Sequence, residues 1–143
     1  NQDIAEPSTL DVENATKAFS KAILLDESIC DAWENRAACY AYIKKYSLAI
    51  TDFIHAVSCH PTHASNYLAR GKSYLESGNP EQAISDFNTA IELDALLIEA
   101  FMQRGYAFSK TEKYTAAIGD FIKVTESKNK FTAKVVSSAT YPQ

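Results

Sequence analysis

The sequence predicts an all-α fold, a stack of helical hairpins, and three observations carry that prediction. The composition favours helix, the chain matches itself when slid by 34 residues, and the apolar positions inside each repeat fall at helical spacing. Of 143 residues, 46% are hydrophobic and 11% aromatic, enough for one packed core and too apolar for a disordered chain. Four Gly and four Pro leave little material for the turns of an all-β fold, whereas Ala, Leu, Ile, Glu and Lys favour helix throughout.

The repeat is visible without insertions or deletions. A shift of 34 residues aligns Trp33, Tyr67 and Phe101; then Ala37, Gly71 and Gly105; then Tyr40, Tyr74 and Phe108. The register continues through Ala49, Ala83 and Ala117, Ile50, Ile84 and Ile118, and Phe53, Phe87 and Phe121. Within a repeat both apolar triplets run i, i+4, i+7, a stripe about 60° wide on a helix, so each repeat is two amphipathic helices. The small residue inside the first triplet lets the backbones approach while the flanking aromatics fill the space beside them.

The hairpin turn is clearest at Gly78-Asn79-Pro80-Glu81, read as a Gly stop, an Asn N-cap, Pro in the first helical position and an acid in the first turn. Pro61-Thr62 separates the first repeat from the second, and Leu93-Asp94-Ala95 does the same further on without proline.

These residues resemble the tetratricopeptide pattern, W-x2-L-G-x2-Y followed by A-x3-F, A and P. Trp33, Ala37, Tyr40, Ala49, Phe53, Ala56 and Pro61 follow it in the first full repeat, and Tyr67, Gly71, Tyr74, Ala83, Phe87 and Ala90 in the second. The third has Phe101, Gly105, Phe108, Ala117 and Phe121, with Val124 and Asn129 in place of the later Ala and Pro. The resemblance implies a right-handed α-solenoid. Upstream, Ala15, Phe19 and Ala22 occupy second-helix positions of a half repeat, and with no initiator Met the chain is read as cut from a longer protein.

The expected organisation is a linker over 1–9 and a repeat domain over 10–128, with an orphan second helix at 10–27 and repeats at about 30–63, 64–97 and 98–128. A capping helix or extended tail follows at 129–143. There, Val135 and Ala139 sit where a further first helix wants an aromatic and a small residue, but Pro142 falls on the next aromatic position.

A formal charge of -4 disfavours nucleic acid, whose binding rests on Lys and Arg against phosphates. No apolar run approaches the roughly 18 residues of a membrane span, and 1–9 carries no signal-peptide pattern. Cys30, Cys39 and Cys59 are an odd set, read as free thiols in a reducing, cytoplasmic compartment. Gly71-Lys72-Ser73 imitates the end of a phosphate loop, but position 66 is Asn and the tripeptide lies inside a helix, so no nucleotide site is expected. His55, Cys59, His60 and His63 are a metal-like cluster, yet Cys59 falls where the next repeat has Leu93, and the preferred reading is a buried small hydrophobe. No metal, cofactor or catalytic set is expected.

Arg36, Arg70 and Arg104 recur where the family pattern more often has Leu, and Asp52, Asp86 and Asp120 recur sixteen residues later. Each lies about 60° to one side of its helix's core stripe, equidistant from the turn, so they are expected to pair across the hairpin. The alternative is an arginine row gripping an acidic ligand.

In the tetratricopeptide family the first helices line a concave face. Carried over by position, that face here is Asp31, Glu34, Ala38 and Ala41; Ser65, Leu68, Lys72 and Leu75; Glu99, Met102, Tyr106 and Ser109, bordered by Asn35 and Gln103. The Lys/Asn/Lys/Arg carboxylate clamp of chaperone-binding relatives fails here, because Ser65 and Ala69 stand where Lys and Arg are needed. The resemblance implies a scaffold that binds a peptide or helix of a partner protein, a neutral or basic one with apolar anchors. The alternatives are a regulatory module of a larger enzyme or chaperone-associated protein, and a segment that self-associates through its exposed ends.

Overall fold

The computed structural model describes residues 6–138, which form seven helices and no strand. They are α1 (Thr9–Leu25), α2 (Cys30–Tyr42), α3 (Tyr46–Cys59), α4 (Ala64–Glu76), α5 (Pro80–Leu93), α6 (Ile98–Lys110) and α7 (Tyr114–Ser138). Helices α2/α3, α4/α5 and α6/α7 pack as hairpins, and α1, α3 and α5 each pack against the first helix of the next hairpin. The first helices also meet directly, α2 with α4 and α4 with α6, so together they form one side of the stack.

Helix α1 begins one residue before the expected boundary, because Ser8 and Asp11 close a capping box. The Ser8 hydroxyl and backbone amide both bond the Asp11 carboxylate and hold its pKa below the usual range. At the other end α7 runs through 129–138 as helix, which takes up the first part of the segment read as a cap or tail. Residues 1–5 of the linker, and 139–143 with Ala139 and Pro142, lie outside the described residues.

The core follows the repeat. Ala37, Ala49, Phe53 and Ala56 form one buried cluster, and Leu68, Ala83, Phe87, Ala90, Ala100 and Ala107 form another. Among the described residues Phe53 and Phe87 are the largest side chains fully withdrawn from water, each packed with the small residue of its own hairpin's first helix. In the second and third hairpins the slot has no room for a methyl: a Cβ built on Gly71 would come 2.6 Å from Phe87 Cε1 and one on Gly105 would come 2.7 Å from Phe121 Cε1.

All three hairpin turns share one hydrogen-bond pattern. The amides of Lys45, Asn79 and Lys113 donate to the carbonyls of Tyr40, Tyr74 and Phe108, at 2.8, 2.9 and 2.9 Å. This Schellman geometry needs a left-handed residue just before the donor. Gly78 supplies it at φ 84°, but Lys44 and Glu112 occupy the same place at φ 61° and 59°. Asn79 does stand at the N-cap of α5, yet its side chain does not cap the helix. Its amide group instead donates to the hydroxyl and carbonyl of Ser77, because the tight turn points it back toward α4.

Candidate functional site

The side of the stack built by α2, α4 and α6 carries two neighbouring cavities. The first, of about 570 Å³, lies between α2 and α4 and is lined by Ala38, Ala41, Tyr42, Ser65, Leu68, Ala69, Lys72 and Glu76, with Phe53 and Tyr46 of α3. The second, of about 640 Å³, lies between α4 and α6 against the Gly78 turn and includes Leu75, Gln103, Tyr106 and Lys110. Of the residues projected onto this face, Ala38, Ala41, Ser65, Leu68 and Lys72 line the first cavity and Leu75, Gln103 and Tyr106 the second. Asp31, Glu34, Asn35, Glu99, Met102 and Ser109 line neither.

Several of these side chains are already engaged. Leu68 is only 7% exposed and belongs to the core, so it forms cavity floor and not a projecting anchor. Lys72 Nζ donates to Glu99 Oε1 at 2.7 Å, linking the second and third repeats and cancelling the cation of the first cavity. Asn35 Nδ2 donates to the carbonyl of Asp31, and Ser109 Oγ to that of Gly105, each one turn back in its own helix. Tyr106 is 50% exposed, with its ring edge-on to Phe121 at 5.3 Å.

The arginines and aspartates meet in all three hairpins. Arg36 Nε and Nη2 donate to Asp52 at 2.7 and 2.9 Å, Arg70 to Asp86 at 2.8 and 2.7 Å, and Arg104 to Asp120 at 2.8 and 2.7 Å. Each guanidinium also lies over its repeat's leading aromatic, Trp33, Tyr67 or Phe101, 5.1 to 5.7 Å from the ring centre. The Asp hydrogen bonds, opposed by burial, hold Arg36 and Arg70 above the ordinary arginine range. A fork satisfied by carboxylate and ring has few donors left for a ligand.

The histidine and cysteine cluster is rearranged by the fold. Cys30 and Cys59 are joined as a disulfide, which corrects the expectation of three free thiols and of a buried, hydrophobe-like Cys59. The start of α2 and the end of α3 lie side by side at the open end of the hairpin, a proximity that helical periodicity does not show. Cys59 is exposed there, and Cys39 is the free cysteine. His55 stacks on Trp33 with ring centres 4.1 Å apart, and His63 stacks on His60 at 4.5 Å. His60 in turn faces acids that the sequence had not grouped with it, with donor atoms of Asp31, Glu34 and His60 all within 4.8 Å of one another.

A profile of the tetratricopeptide repeat matches residues 64–95, the span of α4 and α5. The chain is a tetratricopeptide-repeat solenoid. Among curated proteins it is similar to the heat shock protein STI1 of Saccharomyces cerevisiae, 35% identical over 86 residues, which are 59% of this chain and 15% of that protein. The chain therefore spans a small part of that relative's length. Among solved structures the tetratricopeptide chain superposes on MamA from Desulfovibrio magneticus with a TM-score of 0.81 and 25% identity, covering 84% of this chain and 68% of that one. It also superposes on the second repeat domain of Spaghetti (RPAP3), solved with the HSP90 peptide SRMEEVD, with a TM-score of 0.64 and 26% identity, covering 78% and 96%. Among the described residues no helix is long and apolar enough to cross a membrane.

Proposed function

We propose that this chain is a protein-interaction module that holds a peptide or helix of a partner against α2, α4 and α6. The observation that carries the reading is the cavity between α2 and α4, with an apolar floor of Ala38, Ala41, Leu68 and Ala69. At about 570 Å³ it can take one or two apolar anchor side chains, and the second cavity extends the surface past Tyr106. The likeness to the second repeat domain of Spaghetti, which was solved with an HSP90 peptide, supports a peptide-binding use.

The charge pattern favours a neutral or basic segment. Lys72 is paired with Glu99, while Asp31 and Glu34 add negative charge at the start of α2. The reading includes no catalysis, and the arginine row braces hairpins in it without touching ligand. Fluorescence anisotropy tests it directly. Neutral and basic peptides with a bulky apolar residue bind wild type, and Ala38→Arg, which fills the first cavity from an exposed position, abolishes binding. Micromolar affinity for SRMEEVD would overturn the charge assignment, and peptide binding unaffected by Ala38→Arg would overturn the cavity.

A second reading is self-association through α7, whose Ile118, Ile122 and Phe131 are 59, 52 and 71% exposed. Light scattering across a concentration series tests it, and a monomer at every concentration would exclude it.

A further inference from the structure

We propose that Asp31, Glu34 and His60 form a binding site for a divalent cation of the zinc type, placed where the start of α2 meets the end of α3. The donor set is one imidazole nitrogen and two carboxylates, with all three donor atoms within 4.8 Å of one another. Mixed nitrogen and oxygen donors suit zinc, cobalt or nickel better than the all-oxygen shell that calcium or magnesium prefers.

The observation that lifts this above a chance acidic surface is His60 Nε2. The atom itself is buried, although the side chain as a whole is 31% exposed, and it makes no well-aligned hydrogen bond. A buried polar atom left without a hydrogen bond carries a desolvation cost that a bound ligand relieves. His60 Nε2 lies 3.4 Å from Asp31 Oδ1. Two ligands sharing an ion about 2.1 Å from each sit roughly 3.4 Å apart when the geometry is tetrahedral, a spacing this ion-pair contact matches, and the Glu34 donor lies within 4.8 Å of both.

The surroundings hold the donors as a metal site requires. Asn66, buried at the start of α4, donates from Nδ2 to Glu34 Oε2 at 3.3 Å and orients that carboxylate from the next repeat. The His60 ring is stacked on His63. The Cys30–Cys59 disulfide joins the residues immediately before Asp31 and His60, tying the two helix ends together. His60 caps the C-terminus of α3, where the helix dipole favours positive charge.

The set is confined to this corner. One repeat on, the matching positions hold Ser65, Leu68 and Asp94, and a further repeat on they hold Glu99, Met102 and Lys128. The repeat therefore does not require these residues at its other copies.

Isothermal titration of ZnCl2 into the oxidised 143-residue chain, at pH 7.4 and without thiol reductant, tests the site. Wild type binds one equivalent. His60→Gln and Asp31→Asn each weaken binding at least about tenfold, and His55→Gln, whose ring is stacked on Trp33, leaves it unchanged. The Asp31 side chain is 82% exposed, so Asp31→Asn reports on the ion and not on folding. Absence of zinc binding by wild type overturns the proposal. So does His60→Gln binding as tightly as wild type, which would place the ion on another imidazole or on the Cys39 thiol.

Discussion

The first hairpin, α2/α3, and the second, α4/α5, are the same device finished in two ways. Both fasten their helices with an Arg–Asp fork under an aromatic ring and bury one phenylalanine beneath a small residue. They differ in how the fork is supported, how the open end is closed, how tight the slot is and which residue makes the turn. Arg36 has an added partner in Ser20 of α1, at 3.1 Å, and Arg104 has one in Asn88 of α5, at 2.8 Å. The residue in the same repeat position beside Arg70 is Ile54, which cannot accept. The open end of the first hairpin is covalently closed by Cys30–Cys59, where the second has Ala64 and Leu93. The repeat thus specifies the staple, while each copy completes its ends separately.

Removing a carboxylate probes this difference most strongly. Asp86→Ala leaves Arg70 largely buried with only the Tyr67 and Tyr74 side chains near it, and about 3–5 kcal/mol of stability is expected to go. Asp52→Ala costs about 1 kcal/mol less, because Ser20 still accepts from Arg36. Urea unfolding of the two variants side by side measures the gap. Equal losses would show that the contact between repeats contributes nothing.

Next in size is the covalent closure. Reducing Cys30–Cys59, which spans a sequence separation of 29, is expected to cost about 3–4 kcal/mol by releasing the unfolded chain. Wild type in dithiothreitol should then melt like Cys30→Ser/Cys59→Ser. A melting temperature indifferent to reductant would mean that the first hairpin closes as the second does.

The slots give a smaller and opposite asymmetry. Gly71→Ala drives a methyl into the Phe87 ring at 2.6 Å and is expected to cost about 1–3 kcal/mol. At the matching place the first hairpin already carries Ala37, fully buried beside Phe53. Ala37→Gly therefore loses buried surface and helix propensity, by about 1 kcal/mol, without any gain from released strain. Thermal melts of both variants rank them.

The smallest effect lies in the turns. Lys44→Gly gives the first hairpin the residue that the second already uses, removing the cost of a left-handed side chain at φ 61°. After the added freedom of the unfolded chain is subtracted, about 0.5 kcal/mol of stabilisation remains. A lower melting temperature would show that the Lys44 side chain contributes more than its backbone costs.

The all-α class, the hairpin pairing and the identity of the core were legible in the sequence, because 34-residue self-similarity and helical spacing are local signals that three copies repeat. The Arg and Asp rows were legible for the same reason. The left-handed turns at Lys44 and Glu112 were one alignment step away, since both share a register with Gly78. The corner was not legible. Cys30 with Cys59, Asp31 and Glu34 with His60, Glu34 with Asn66 and Lys72 with Glu99 occur once each and join different helices, so no periodicity marks them.

By itself the sequence determined what every repeat must do: which faces are apolar, where a small residue admits an aromatic, and which arginine answers which aspartate. Only the tertiary structure decided what the ends of the helices do. Whether Leu68 projects or forms floor, whether Lys72 is free or paired, and whether two cysteines meet all depend on where neighbouring helix ends come to lie. That placement follows from packing whole helices against one another, and the spacing of residues along one helix does not contain it.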